Sequence, residues 1–281
     1  MQNNAEKIVR WYIVKNGLAQ IVSVIILLTI SFTVYLAISN LYISLAAIIG
    51  FCSAIYVLQT MFAYKQIVKL NDILEKECDP ETFTSVFQLL ITKPIYRTRV
   101  TSASLNIAHG LAMQGKYQEA YSMLQGIIIS AKPSIYRLQY YSIFANCAEA
   151  RGDIGGVEWA LSNMQNIVDS NKRSSKIVTY SNMAIQIINT ILFEYNKKYD
   201  LAIEITTAYL NAAILPVQRV SAKSRLAKLY FYKEDYTTAK ANCEYVIEHG
   251  NKLIHVVKAK ELLIKCDVAL SPSNRILYEG V

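Results

Sequence analysis

Arg225 and Lys228 stand three residues apart in a helical stretch, a spacing that turns a guanidinium and an ammonium to the same side. Together they could hold a carboxylate by charge-assisted hydrogen bonds; the alternative is that they are hydrated charges on a helix surface. Other candidate chemistry is thinner. His109, His249 and His255 show neither the i, i+4 spacing of a helical zinc pair nor a nearby cysteine to complete a site. The five cysteines, Cys52, Cys78, Cys147, Cys243 and Cys266, lie far apart with no CxxC, and read as reduced packing residues of a cytosolic compartment. The segment Gly152 to Gly156 is glycine-rich, but without a preceding strand or a Lys-Ser/Thr ending it is a turn rather than a phosphate loop. Glu234-Asp235, and Glu75 with Glu77, read as solvated charge at turns or exposed faces. No catalytic set emerges, and neither a metal nor a cofactor is expected: these residues point to a binding protein rather than an enzyme.

The elements that must position them begin with a segment holding no charge. From Asn16 to Tyr64 runs a stretch of 49 uncharged residues bounded by Lys15 and Lys65. A single span needs about 20 apolar residues, so the run fits two transmembrane helices, expected at 17–38 and 41–63, with a turn near Ser39-Asn40. A cleaved signal peptide is the rival reading, but the stretch is too long for its apolar region and lacks a small-residue cleavage site. Lys7, Arg10 and Lys15 precede the hairpin and Lys65 and Lys69 follow it, whereas the turn carries no positive charge, so both termini are expected in the cytoplasm and the chain in the cell membrane. Ala46, Gly50 and Ala54 line one face of the second span with small side chains, a packing face either for the first span or for a partner's membrane helix.

Composition agrees with a helical chain partly in lipid: 53% of residues are hydrophobic and 18% charged, with only 10 Gly and 5 Pro. The net charge of +8 is interleaved with acids along the chain, so no basic tract marks a nucleic-acid footprint. Past Lys65 the apolar residues take a helical period, as in Ile67, Leu70, Ile73 and Leu74. Asp79 with Pro80 then signals a new helix start, and Lys93-Pro94 its end.

A self-similar unit follows. Four polar turns lead into Tyr117, Ile154, Tyr199 and Tyr236, and three residues later stand Ala120, Val157, Ala202 and Ala239, at intervals of 37, 45 and 37. Each turn joins two apolar helices, and a small anchor lets the pair pack closely. Pairs of this kind stack, because one alone cannot bury its apolar face.

On these residues the chain resembles the tetratricopeptide repeat family, most clearly in Ala108, Leu111, Gly115, Tyr117 and Ala120. The repeat here is longer and uneven, and the family's characteristic Trp is missing. The fold class expected is all-α: an N-terminal transmembrane hairpin followed by a TPR-like α-solenoid. The expected divisions are a cytoplasmic basic N-terminus at 1–16, the hairpin at 17–64, connecting helices at 65–96, the repeat domain at 97–268 and a C-terminal tail at 269–281. The resemblance implies a concave groove lined by the first helices of the pairs. It would carry Asn106, His109 and Met113; Ser142, Asn146 and Glu149; Ile187, Ile191 and Glu194; and Arg225, Lys228 and Tyr232. Within it Asn106, His109, Asn146, Arg225, Lys228 and Tyr232 form the candidate partner-binding set, with Asn146, Arg225 and Lys228 as donors converging on a carboxylate and Tyr232 as an apolar wall. The implied function is a membrane-anchored scaffold that binds a protein or peptide. The alternatives are an accessory subunit of a membrane enzyme or transporter, docked through Ala46, Gly50 and Ala54, and a peptide-responsive membrane sensor.

Overall fold

The computed structural model describes residues 2–37, 41–93, 99–171 and 175–271, and the chain divides into two compact units, Met1–Asp72 and Ile73–Val281. The turn expected at Ser39-Asn40, the stop at Pro94 and the tail from 272 lie outside the described residues.

The first unit holds α1 (Gln2–Ala37) and most of α2 (Leu41–Glu75). Both are long and apolar enough to cross a membrane, over Asn4–Val34 and Tyr42–Glu75. Large side chains such as Leu28, Phe32, Tyr56 and Leu58 are exposed along them. Several hydroxyls along these stretches are satisfied within their own helix: Ser23 donates to the Ala19 carbonyl, Thr29 to Ile25, Ser53 to Ile49 and Thr60 to Tyr56. The two spans expected from the sequence belong to the longer helices α1 and α2, because neither Gln2–Asn16 nor Lys65–Glu75 contains a proline or glycine to interrupt them. At these charged ends the pattern changes. Ala5, Val9, Tyr12 and Asn16 on α1, and Gln66 and Leu70 on α2, are spaced by three or four residues and buried.

The second unit is a stack of antiparallel helices. In order they are α3 (Pro80–Ile91), α4 (Val100–Met113), α5 (Tyr117–Gln125), α6 (Ser134–Ala150), α7 (Ile154–Ser170), α8 (Ser175–Tyr195), α9 (Tyr199–Ala212), α10 (Pro216–Tyr232), α11 (Tyr236–His249) and α12 (Ile254–Leu270). The pairs α4/α5, α6/α7, α8/α9 and α10/α11 pack internally and on their neighbours, while α4, α6 and α8 touch in succession as an inner layer. Each anchor is sealed in its pair: Ala120, Val157, Ala202 and Ala239 have 0% of their surface accessible.

The turns inside the pairs share one construction. The first helix ends on a left-handed residue: Gly115 (φ 81°), Gly152 (φ 71°), Lys197 (φ 56°) or Glu234 (φ 62°). The next N–H returns to a carbonyl five residues back, Lys116 to Leu111 at 2.9 Å, Asp153 to Ala148 at 2.9 Å, Lys198 to Phe193 at 2.7 Å and Asp235 to Tyr230 at 3.0 Å. That same residue opens the second helix, and where it is aspartate its carboxylate also accepts the N–H of Gly156 or Thr238. Left-handed backbone favours glycine, yet two of the four positions use Lys and Glu, so the turn is fixed by its hydrogen bonds and the helices on either side.

Cys78 (φ 53°) repeats the device ahead of α3, with Asp79 accepting from the Thr82 N–H and a buried Phe83 where later units carry the small anchor. The helix α3 packs directly on α4. Reading 65–96 as connecting helices therefore understates it: α3 is a member of the stack, hidden from the sequence pattern because Phe83 replaces the small residue.

The stack also meets itself. Asn251, at the α11–α12 turn, donates to the Glu77 carbonyl at 2.8 Å, and the Lys252 ammonium reaches Asp79 at 2.7 Å. Lys258 donates to the Tyr117 hydroxyl at 3.0 Å, and the Ile254 side chain fills the space where a side chain on Gly115 would stand. The start of the final helix is thus seated against the first turns of the stack.

Candidate functional site

The inner layer of the stack brings together charges from three helices. The Arg225 Nη2 on α10 donates to both carboxylate oxygens of Glu149 on α6, at 3.0 and 2.9 Å, and its Nη1 donates to Glu194 on α8 at 3.4 Å. Lys228, one turn further along α10, pairs with the other Glu194 oxygen. Only 16% of the Arg225 side chain and 12% of that of Glu194 are accessible, whereas Lys228 keeps 43%. A planar guanidinium forked onto one carboxylate and bridged to a second is a geometry lysine could not supply.

Burial alone would raise the Glu149 carboxyl, but the Arg225 charge and hydrogen bonds, with Lys228 and Lys258 nearby, hold it below the ordinary carboxylate range. Burial would lower the Arg225 guanidinium, and Glu149 and Glu194 more than restore it. Both partners stay charged in a sheltered place.

Beside the network, His255 on α12 lies between two α10 serines, with Nε2 3.2 Å from Ser221 Oγ and Nδ1 3.2 Å from Ser224 Oγ. A neutral ring offers one donor and one acceptor, matching two hydroxyls that can each play either part. Burial lowers its pKa to about 4, with Lys258 and Arg225 acting in the same direction. Burial also lowers His109 on α4 to about 4.

The residues expected in the groove therefore meet different fates. Arg225 and Lys228 do face one way, but their partners are this chain's own Glu149 and Glu194. Arg225 engages Glu149, one helical turn beyond Asn146, which is half-buried. Asn106 is buried and accepts a hydrogen bond from Gln139 at 3.1 Å, which ties α4 to α6. Tyr232 is partly exposed, with its ring 5.5 Å from Tyr199 and the Lys228 ammonium 5.8 Å above it. Ala46, Gly50 and Ala54 are exposed, and a Cβ added at Gly50 would meet nothing within 4 Å, so the close approach to the first span considered for that face is not made there.

The sequence reading sets Glu149 and Glu194 on the same expected face as Arg225 and Lys228; their pairing with these cations emerges only from the structure. Opposite charges on the inner faces of successive first helices are the signal that could have revealed it. The contributions of Ser221, Ser224, His255 and Lys258 carried no sequence signal, since they depend on where α12 sits. Four of the five cysteines are buried packing groups, and burial pushes the Cys147 and Cys243 thiols up to about 11 and about 12.

Stacked helix pairs, a left-handed turn at a constant place in each pair and sealed small anchors define an α-solenoid of the tetratricopeptide class. The profile of the family described as the SusR N-terminal TPR domain matches residues 93–245, and the chain belongs to that family. A solved structure of a thermophilic TPR protein from Thermus thermophilus is similar at 16% identity and a TM-score of 0.42, covering 68% of this chain and 90% of that one. No curated protein matches the chain.

Proposed function

We propose that this chain is a non-enzymatic, membrane-anchored scaffold whose repeat domain binds a protein or peptide partner in the cytoplasm. The TPR family assignment supports the scaffold part, because stacked helix pairs present an extended surface to other chains. The membrane part rests on two long apolar helices whose large exposed side chains suit lipid and whose Ser23, Thr29, Ser53 and Thr60 hydroxyls bond within the helix. The positive flanks at both ends of the uncharged run put the two termini on the cytoplasmic side. Reporter fusions at Asn4 and Val281 test this topology, and opposite sidedness would overturn the two-span reading.

The observation that carries the binding site is the Arg225 network. Glu149 and Glu194 occupy the positions a partner's carboxylates would take, and Lys228, the most accessible member, is where exchange would begin. A partner with acidic side chains or a terminal carboxylate fits. Arg225 bridges three repeats, so its removal disturbs the array as well as the site, and Lys228→Gln is the cleaner probe. Crosslinking of the full chain in native membranes should capture a partner, and Lys228→Gln should weaken capture by about tenfold if the contact is sheltered. Unchanged capture with that variant would move the interface off this face.

A second reading, an accessory subunit of a membrane complex, is favoured by the exposed face of Ala46, Gly50 and Ala54. Gly50→Leu should then abolish co-purification of a membrane partner without affecting insertion.

A further inference from the structure

At the charged ends of the two apolar helices a single tryptophan gathers two cations from different helices. The Lys15 ammonium on α1 lies 4.4 Å from the centre of the Trp11 ring, and the Lys69 ammonium on α2 lies 5.9 Å from the same centre. Lys7, Trp11 and Lys15 follow one another at four-residue steps, as do Lys65 and Lys69, so each set lines one face of its helix. All five side chains are exposed, while Ala5, Val9, Tyr12 and Asn16 on α1 and Gln66 and Leu70 on α2 are buried. Lys15 and Lys69 therefore meet over one indole, with Lys7 and Lys65 exposed one turn away along their own helices.

Like charges drawn to one ring repel each other unless an anion lies between them. Among the described residues neither Lys15 nor Lys69 makes an ion pair with a carboxylate, and the acidic residues of this unit are only Glu6 and Asp72. The ring explains why the cations come close, and it leaves their charge uncompensated. Lys15 and Lys65 are also the residues that bound the uncharged run, so this cluster stands at the level where acyl chains give way to headgroups, the depth that an amphipathic indole prefers.

We propose that Lys15 and Lys69, held astride Trp11, form a binding site for the phosphate of an anionic phospholipid headgroup, with Lys7 and Lys65 completing the basic rim. The site rests on the two-span reading given above. Its lipid would pin α1 and α2 together at the cytoplasmic boundary, since the two ammonium groups that share the phosphate come from different helices. Charge attraction of juxtamembrane lysines to anionic leaflets is additive along such a patch.

Trp11 itself is the reporter, because Trp159 is the only other tryptophan and can be replaced by Phe. The full chain carrying Trp159→Phe is reconstituted into phosphatidylcholine vesicles containing increasing fractions of phosphatidylglycerol, and its Trp11 emission is followed. The expected result is a saturable shift whose half-point moves to higher phosphatidylglycerol by about fivefold for each of Lys15→Gln and Lys69→Gln, and is restored by the corresponding arginine variants. Quenching of Trp11 by lipids brominated on the acyl chain is measured in the same vesicles. Quenching without any preference for phosphatidylglycerol would overturn the headgroup site and leave the membrane hairpin standing. No quenching at all would overturn both. Inorganic phosphate added to pure phosphatidylcholine vesicles should leave the emission unchanged; a saturable response to it would overturn the assignment to a lipid.

Discussion

The seams between paired helices and the inner face of the stack use opposite chemistry. At the seams, Ala120, Val157, Ala202 and Ala239 are wholly buried by residues close in sequence, each reached through one short turn. On the inner face, Glu149, Glu194, Arg225 and Lys228 are joined across three helices, and Arg225 meets Glu149 over 76 positions of chain. The seams are tight because nothing large is present; the inner face is ordered because every charge has an answer. Local packing thus sets the form of each repeat, and long-range electrostatics sets how the repeats close upon one another.

The comparison breaks most sharply with acid. His109 and His255 have folded pKa values of about 4, below the unfolded value of 6.5. The unfolded chain takes up protons first, so their neutral burial stabilises fully above pH 6.5, and that contribution fades as pH falls from 6.5 toward 4. By pH 5 the two together should cost on the order of 4 kcal/mol, and a double His109→Gln/His255→Gln variant should flatten the pH dependence of chemical denaturation. Arg225→Ala should follow at about 3 kcal/mol, because Glu149 and Glu194 are left sheltered and unpaired; a Glu149→Gln/Glu194→Gln background should recover much of that loss in thermal melts. At a seam, Ala120→Leu overpacks a fully buried position and should cost about 2 kcal/mol at any pH between 5 and 8. A neutral outcome would show that the anchor register is wrong. Asp235→Ala removes a helix cap and should cost about 1 kcal/mol, measured by urea unfolding. Smallest of all, Lys197→Gly relieves a left-handed residue at a turn and should raise stability by about 0.5 kcal/mol.

The same division decides what could be read from residues alone. Anchors and turns repeat at fixed distances, so Ala120, Gly115 and Tyr117 announced a helix pair, and the steps of 37, 45 and 37 predicted where the next ones fall. The run from Asn16 to Tyr64 declared its apolarity without ambiguity. Illegible from sequence was everything decided by closure. Lys252 with Asp79, and Lys258 with Tyr117, meet only because the whole array bends round. Phe83 disguised the turn at Cys78, and opposite charges on α6, α8 and α10 gave no sign of being within reach.

An open row of helix pairs frays from its ends, where a terminal unit has only one neighbour and needs a polar outer surface. Here Asn251, Lys252 and Ile254 give the last pair a second neighbour, and they give the Cys78 turn one as well. With its last helix braced on the first turns, the array has no terminal unit that depends on one neighbour alone. Amide protons of α3 and α12 should then exchange as slowly as those of the middle pairs, and the stack should melt as a single body rather than unit by unit.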